Sequence, residues 1–136
     1  MRKRLSCVLT TLVLAGSAVL IPAQTAAATD ACAEPWCGDV DNRSGGHDIM
    51  VAGCWPNNEP FIYGDSLGCS RTVEVANGKD GDDTYWDIDG FRAYKGCITS
   101  WTKNGVTQSR LDRKGIGSLW VKISNDVNVV ITGITC

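Results

Sequence analysis

The sequence has little of what most hydrolases use for acid–base or nucleophilic chemistry. His47 is the only histidine among the 136 residues. It follows Gly45-Gly46, and neither a Gly-x-Ser-x-Gly motif nor a Cys-His pairing accompanies it. A Ser-His or Cys-His enzyme is therefore disfavoured, and we expect His47 to have a structural role.

Long apolar runs are also scarce. The run at 8–21 is shorter than the roughly 20 residues that a membrane-spanning helix needs, and no later run is longer. Arg2, Lys3 and Arg4 precede it, and Ala26 to Ala28 follow it. This order is typical of a secretory signal peptide. We therefore predict that residues 1–28 are removed and that the mature protein is secreted, without a membrane anchor.

Beyond that signal the chain has no cluster of basic residues. Removal of residues 1–28 takes three of the 13 basic residues and none of the 15 acidic ones, so the net charge falls from −2 to −5. Nucleic acids and anionic membranes are bound by clustered Lys and Arg, which neutralise phosphates. Neither is an expected partner.

The cysteine pattern lacks a Cys-x-x-Cys pair, and with one histidine a zinc site is disfavoured. Six cysteines remain after the signal peptide, an even number that predicts three disulfides in an exported chain. Fifteen pairings are open. Nearest-neighbour pairing has the shortest loops and would join Cys32 to Cys37, Cys54 to Cys69 and Cys97 to Cys136.

Helical periodicity is absent after the signal, and short β-type runs alternate with turn residues. The pattern predicts an all-β fold: a small, disulfide-stapled antiparallel β-sandwich or barrel with an extended N-terminal arm. Asn125-Asp126 predicts a two-residue hairpin turn between the last two strands. The predicted strands are 47–54, 71–75, 85–94, 97–102, 119–124 and 127–134.

Two parts are expected in the mature chain: an arm over residues 29–41 and one β domain over residues 42–136. Pro35-Trp36 lies in the arm with no apolar pattern around it, so its ring needs a receiving surface, either in the protein's own core or in a partner's pocket. The predicted partner-binding residues are Ala31, Cys32, Ala33, Glu34, Pro35, Trp36 and Cys37.

Five aspartates lie within ten residues and form a weak candidate site for Ca²⁺. Carboxylates on a glycine-bearing loop can ligate calcium, but the spacing differs from that of an EF-hand. We favour a solvated acidic turn, and expect no cofactor. The five residues are Asp80, Asp82, Asp83, Asp87 and Asp89.

Three further functions stay open. A loop framed by Cys32 and Cys37, or by Cys54 and Cys69, could present a rigid segment to a protease, as a peptidase inhibitor does. The five tryptophans would suit a carbohydrate-binding module. An enzyme is the least favoured, because no nucleophile and base are evident.

Several segments resemble small exported streptomycete proteins, and among these the sequence is most similar to the adaptor subunits of umbrella toxin particles. The resemblance covers most of the mature chain. It rests on Val40-Asp41-Asn42-Arg43-Ser44, His47-Asp48-Ile49-Met50-Val51, Trp86-Asp87-Ile88-Asp89-Gly90-Phe91-Arg92, Gly96-Cys97, Trp120-Val121-Lys122-Ile123 and Ile131-Thr132-Gly133-Ile134.

The resemblance implies a non-catalytic connector in an antibacterial assembly. Such an adaptor is a β domain that joins a large repeat-bearing toxin subunit to a lectin-bearing subunit with a trypsin-like domain. Its N-terminal arm, here Asp30 to Gly38, would enter a groove of the trypsin-like domain. An extended arm that binds a groove through main-chain pairing and a few side-chain anchors is compatible with Pro35-Trp36.

Overall fold

The computed structural model describes residues 37–81 and 87–136, which form ten β-strands and no helix. Across these two ranges, no helical segment has the length and apolarity to cross a membrane. The strands are β1 (Asp39–Asn42), β2 (Ile49–Ala52), β3 (Phe61–Tyr63), β4 (Thr72–Val75), β5 (Gly90–Ala93), β6 (Ile98–Lys103), β7 (Val106–Thr107), β8 (Leu111–Asp112), β9 (Leu119–Lys122) and β10 (Asn128–Thr135).

The strands form two five-stranded sheets. Sheet A has the order β1-β10-β6, with β7 and β8 both paired to β6, and sheet B has the order β3-β9-β5-β2-β4. The all-β, sandwich-like class expected from the sequence is confirmed. The pairing is antiparallel except between β1 and β10, which run parallel from Asp39 opposite Asn128 to Asn42 opposite Ile131.

The inner faces of the two sheets share one apolar core. Period-2 alternation places Ile49 and Val51 of β2, Phe91 of β5 and Val129 and Ile131 of β10 in it, all of them fully buried. Trp101 of sheet A packs its ring at 60° against Phe91 of sheet B, with centroids 5.3 Å apart. Side chains of both sheets therefore close the core, as the alternating sequence pattern predicts.

The predicted hairpin at Asn125-Asp126 is wrong, because β9 lies in sheet B and β10 in sheet A. A tight turn does exist: Val127 N–H donates to Ser124 O at 3.2 Å. Only Asp126 has a positive φ, of 67°, whereas a type I′ hairpin turn needs positive φ at both central residues. The turn carries the chain across the core, and both Ile123 and Val127 are buried in it.

Two strand boundaries also differ from the prediction. β1 includes Asp39 to Asp41, which the sequence pattern placed in the arm, and Val40 is fully buried. Of the predicted strand 85–94, residues 85 and 86 lie outside the described residues, and the remainder is observed only as β5. Ile88 packs into the core, as does Phe91, although residues three apart on a regular strand would face opposite sides. The β domain therefore begins at β1, three residues earlier than expected.

Two disulfides have both ends in the described residues. Cys54 pairs with Cys69, and Cys97 at the start of β6 pairs with Cys136 just beyond β10. These are two of the three nearest-neighbour pairs. Cys37 is also disulfide-bonded, but the predicted Cys32–Cys37 pair falls partly outside the described residues.

Candidate binding surface

The outer face of sheet B is covered by the long connection from β2 to β4, residues 53–71, which we call the cover loop. Beneath it, Trp120 is 2 % exposed and packs with Ala52 and Leu67 in a small apolar cluster. The ring of Trp55 lies directly on Gly90, where a Cβ atom would collide with it. A glycine in β5 thus allows the cover loop to lie close to the sheet.

The Cys54–Cys69 disulfide closes the cover loop at its base, over a sequence separation of 15 residues. Within the loop, Trp55 donates its indole N–H to Glu59 O at 2.8 Å, and Glu59 N–H donates to Asn57 Oδ1 at 2.9 Å. These bonds bend the chain so that it reaches sheet B again as β3.

β3 is the edge strand of sheet B, and its outer main-chain groups are unpaired. Lys122 N–H donates to Pro60 O at 3.0 Å, and Gly64 N–H donates to Ser118 O at 2.9 Å. Successive residues of an antiparallel strand direct their main-chain groups to opposite sides. Because Pro60 and Gly64 bond to the β9 side, Phe61 and Tyr63 direct their N–H and C=O groups away from it.

The same two residues carry exposed aromatic rings. Phe61 is 45 % exposed and Tyr63 is 73 % exposed, which is unusual for side chains of this size. The guanidinium of Arg113 lies 5.6 Å from the centre of the Tyr63 ring, and Arg113 Nε donates to Gly117 O at 2.8 Å. Arg113 therefore supports Tyr63 from the side of the β8–β9 loop. We call Phe61, Tyr63 and Arg113 the β3 edge.

The chain offers free main-chain groups and large rings at one edge, the combination that strand addition requires. An extended segment of another protein can pair with the main chain of Phe61 and Tyr63 and pack its side chains on their rings. The sequence pattern did not predict a strand there. Three β-forming residues between Pro60 and Gly64 were the available signal.

The predicted arm residues lie outside the described residues except for Cys37, which is half-buried. The point where the arm leaves the domain is well defined. Gly38 N–H donates to Asp87 Oδ1 at 2.8 Å, and Ile88 N–H donates to Gly38 O at 3.0 Å. A side chain at position 38 would collide with Ile88 O. Gly38 is thus part of the fold and not of a free arm.

The aspartate cluster is only partly visible, since Asp82 and Asp83 lie outside the described residues. Asp87 accepts the Gly38 hydrogen bond, and Asp80 forms an isolated β-bridge with Asp41. Within 37–81 and 87–136, no three His, Cys, Asp or Glu side chains are grouped closely enough to hold a metal ion. The described aspartates thus have structural contacts on β1 and its neighbours.

His47 lies exposed in the β1–β2 connection, where its main chain has the structural role. Its carbonyl accepts hydrogen bonds from Asn42 Nδ2 at 2.8 Å and from Ser44 Oγ at 2.6 Å. Asn42 is fully buried and also donates to Val75 O at 2.8 Å. These bonds fix the connection between the two sheets.

Comparison with known proteins gives no relative from which a role could be read: no family model, curated protein or solved structure matches the chain. The function is therefore argued from the β3 edge and the residues around it.

Proposed function

We propose that this protein is a secreted, non-catalytic binding module whose β3 edge pairs with an extended segment of a partner protein. The observation that supports this is the coincidence, at Phe61 and Tyr63, of unpaired main-chain groups with exposed aromatic rings. Proteins usually protect such edges with charge, proline or a covering segment. Pro60 stands just before β3, but the strand itself carries no charge.

Charge favours a partner other than a second copy of the chain. Lys122 follows Val121, the register partner of Phe61, and Arg113 lies beside Tyr63. Two copies joined at β3 would bring these cations together. An extended segment with carboxylates would complement them, and acidic side chains next to a basic edge also speed association.

The arm would supply a second contact, as the resemblance to umbrella toxin adaptors implies. In that arrangement the arm residues 31–37 would enter the trypsin-like domain of a lectin-bearing subunit, and the β3 edge would be free for a large toxin subunit. Secretion is supported by the signal-like start of the sequence and by the disulfides, which persist in oxidising compartments. The single exposed histidine and the bridged cysteines favour a binding role over catalysis.

The test uses the native protein with the partner that co-purifies from culture supernatant, identified by mass spectrometry. Tyr63→Lys places a charge on the β3 edge, and Val106→Lys makes the same change at an exposed position on the edge strand β7 of sheet A. We expect Tyr63→Lys to weaken partner binding by at least about tenfold, because it removes the exposed ring on which the partner segment packs. Val106→Lys should bind like the wild type.

Hydrogen exchange provides the readout for strand addition. The amides of Phe61 and Tyr63 should exchange more slowly in the complex, since partner carbonyls would accept their hydrogen bonds. Unchanged exchange at both amides, or equal binding by both lysine variants, would exclude the β3 edge. A variant that lacks residues 29–36 and carries Cys37→Ser tests the arm. It keeps Gly38, which is hydrogen-bonded into the domain, so loss of partner binding by a folded variant would be due to the missing arm.

A further inference from the structure

A cavity of about 160 Å³ lies on the outer face of sheet B, between strands β2, β4, β5 and β9 and the cover loop. Met50, Leu67 and Trp120 give it apolar walls, and Arg92 and Asp65 give it charge. Its volume suits a side chain or a ligand of similar size. It differs from the β3 edge, because it is formed by side chains on the face of the sheet and not by main-chain groups at its border.

Two hydrogen-bond donors at this cavity have no acceptor. Trp120 Nε1 and Arg92 Nε are both covered from solvent, and neither has a hydrogen-bond acceptor among the residues that the structure describes. Their residues are direct cross-strand neighbours, paired in the β5–β9 register, so both side chains lie on the same face. A buried N–H that lacks an acceptor destabilises the folded state, so two of them at one cavity need an explanation.

Two other tryptophans have an acceptor for the indole N–H group. Trp55 Nε1 donates to Glu59 O, and Trp101 Nε1 donates to Ser109 O. Trp120 is far more buried than either, yet lacks such a partner. The unpaired donor is thus a property of this position.

The charge at the cavity favours a negatively charged acceptor. Arg92 Nη2 bonds to Asp65, and Lys95 Nζ lies 4.0 Å from Asp65 Oδ2. Arg92 is the cation of the cavity lining, and it shares Asp65 with the exposed Lys95, so its charge is only partly neutralised. The pKa of Asp65 is lowered, first by the Ser118 hydroxyl that donates to it at 2.7 Å and then by Arg92 and Lys95.

The covering segment is bounded by two glycines. Asp65, Ser66 and Leu67 line the cavity and are flanked by Gly64 and Gly68, whose φ values are +120° and +75°. Both donor nitrogens lie beneath the cavity surface, so ligand binding there requires this segment to shift. Asp65, with its side chain 59 % exposed, holds the segment by contacts that water can replace.

We propose that this cavity binds a carboxylate, whose two oxygens accept the hydrogen bonds of Trp120 Nε1–H and Arg92 Nε–H. The carboxylate belongs either to a small free acid or to an acidic side chain of a bound segment, and the chemistry at the cavity is the same. This inference does not depend on strand addition at β3. Its test therefore uses the isolated protein and no partner.

The experiment follows the indole N–H resonance of Trp120 in the ¹⁵N-labelled protein, assigned with Trp120→Phe. Benzoate is titrated against benzamide, which has the same shape but no charge. A second pair is a blocked extended hexapeptide with one glutamate and its glutamine counterpart. We expect a saturable shift with benzoate, with the glutamate peptide, or with both, and the pattern identifies the source as a free acid or a side chain.

Two variants test the assigned groups. Arg92→Gln should weaken carboxylate binding by at least about tenfold, because a charge-assisted hydrogen bond is lost, whereas Arg110→Gln, an exposed arginine outside the cavity lining, should not. Asp65→Asn should tighten binding by about threefold, since it removes the competing carboxylate. The indole resonance of Trp101 in sheet A reports whether each variant is folded. No saturable shift with either acid, an equal shift with benzamide, or unchanged affinity in both Arg92→Gln and Asp65→Asn would overturn the proposal.

Discussion

The two faces of sheet B are buried in different ways. The inner face packs against sheet A, and strands from both sheets contribute fully buried side chains such as Val51, Phe91 and Ile131. Within the described residues, the outer face is covered by the cover loop, and its buried apolar side chains are Ala52, Leu67 and Trp120. One sheet therefore has a face stabilised by regular strand packing and a face stabilised by an irregular, disulfide-closed segment.

We expect the inner face to determine the stability of the fold and the loop-covered side to carry the proposed binding sites. The inner face has its polar main chain paired within sheets, so little there can change without unfolding. The outer face contains the orphan donors of Trp120 and Arg92, and the two glycines at the ends of the covering segment lie in the loop above them. The β3 edge lies at the border of the same sheet, and its two aromatic rings are on the inner-face side, because their register partners Val121 and Leu119 belong to the shared core. Both candidate sites are formed with the help of the cover loop, and loops are where interaction sites usually lie.

The largest effect is expected from an inner-face substitution. Phe91→Ala removes a fully buried ring that packs on Trp101, and should lower the free energy of unfolding by about 3–5 kcal/mol. Chemical denaturation followed by tryptophan fluorescence measures it, with Thr107→Ala on the exposed strand β7 as the control. A loss below about 1 kcal/mol would mean that the shared core is not the main source of stability.

A smaller and more local effect is expected from opening the cover loop. Cys54→Ser with Cys69→Ser should cost about 3 kcal/mol, the loop-entropy value for a separation of this size. Hydrogen exchange should accelerate in residues 53–71 while the amides of β6 and β10 keep their protection. Equal acceleration in both sheets would contradict the separation of the two faces. The variant should also lose partner binding, because β3 lies inside the loop.

The smallest effect concerns the pH dependence of the Asp65 contacts. Because the pKa of Asp65 in the folded protein lies below its ordinary value of 3.8, the contacts stabilise the fold above that value and the gain is lost as pH falls through the folded pKa. Wild type and Asp65→Asn should thus differ in unfolding free energy at pH 6 and converge near pH 2. In a Ser118→Ala background, the difference in unfolding free energy that Asp65→Asn causes should change less between pH 6 and pH 2. The reason is that the Ser118 hydroxyl is the largest cause of the lowered pKa of Asp65. A gap that widens on acidification would contradict this assignment.

Much of the inner face could be predicted from the sequence, because alternation decides which side chains point inward. A period of two places Ile49 and Val51 on one face of β2, and Val129 and Ile131 on one face of β10. All four side chains lie in the core. The path of the chain at Asn125-Asp126 could not be predicted in this way. These two residues predict a tight turn, but they do not decide whether the flanking strands pair with each other or belong to two different sheets. That choice depends on Ile123 and Val127 meeting the core on both sides of the turn.

The binding surface was harder to predict. β3 is three residues long, too short for alternation to be visible, and its position at an edge is a consequence of the disulfide and the cover loop. The orphan donors of Trp120 and Arg92 become apparent only from cross-strand register. The arm residues 31–36 remain a sequence-based prediction, because they lie outside the described part of the chain.

The parallel pairing of β1 with β10 would matter for the proposed connector role. Tension applied at the start of β1 and at Cys136 pulls these neighbouring strands in opposite directions along their length. The hydrogen bonds between Asp39–Asn42 and Asn128–Ile131 then share the load and must break together, and the Cys97–Cys136 bridge passes part of it to β6. A connector built in this way resists stretching in shear, whereas a terminal hairpin would unzip one bond at a time.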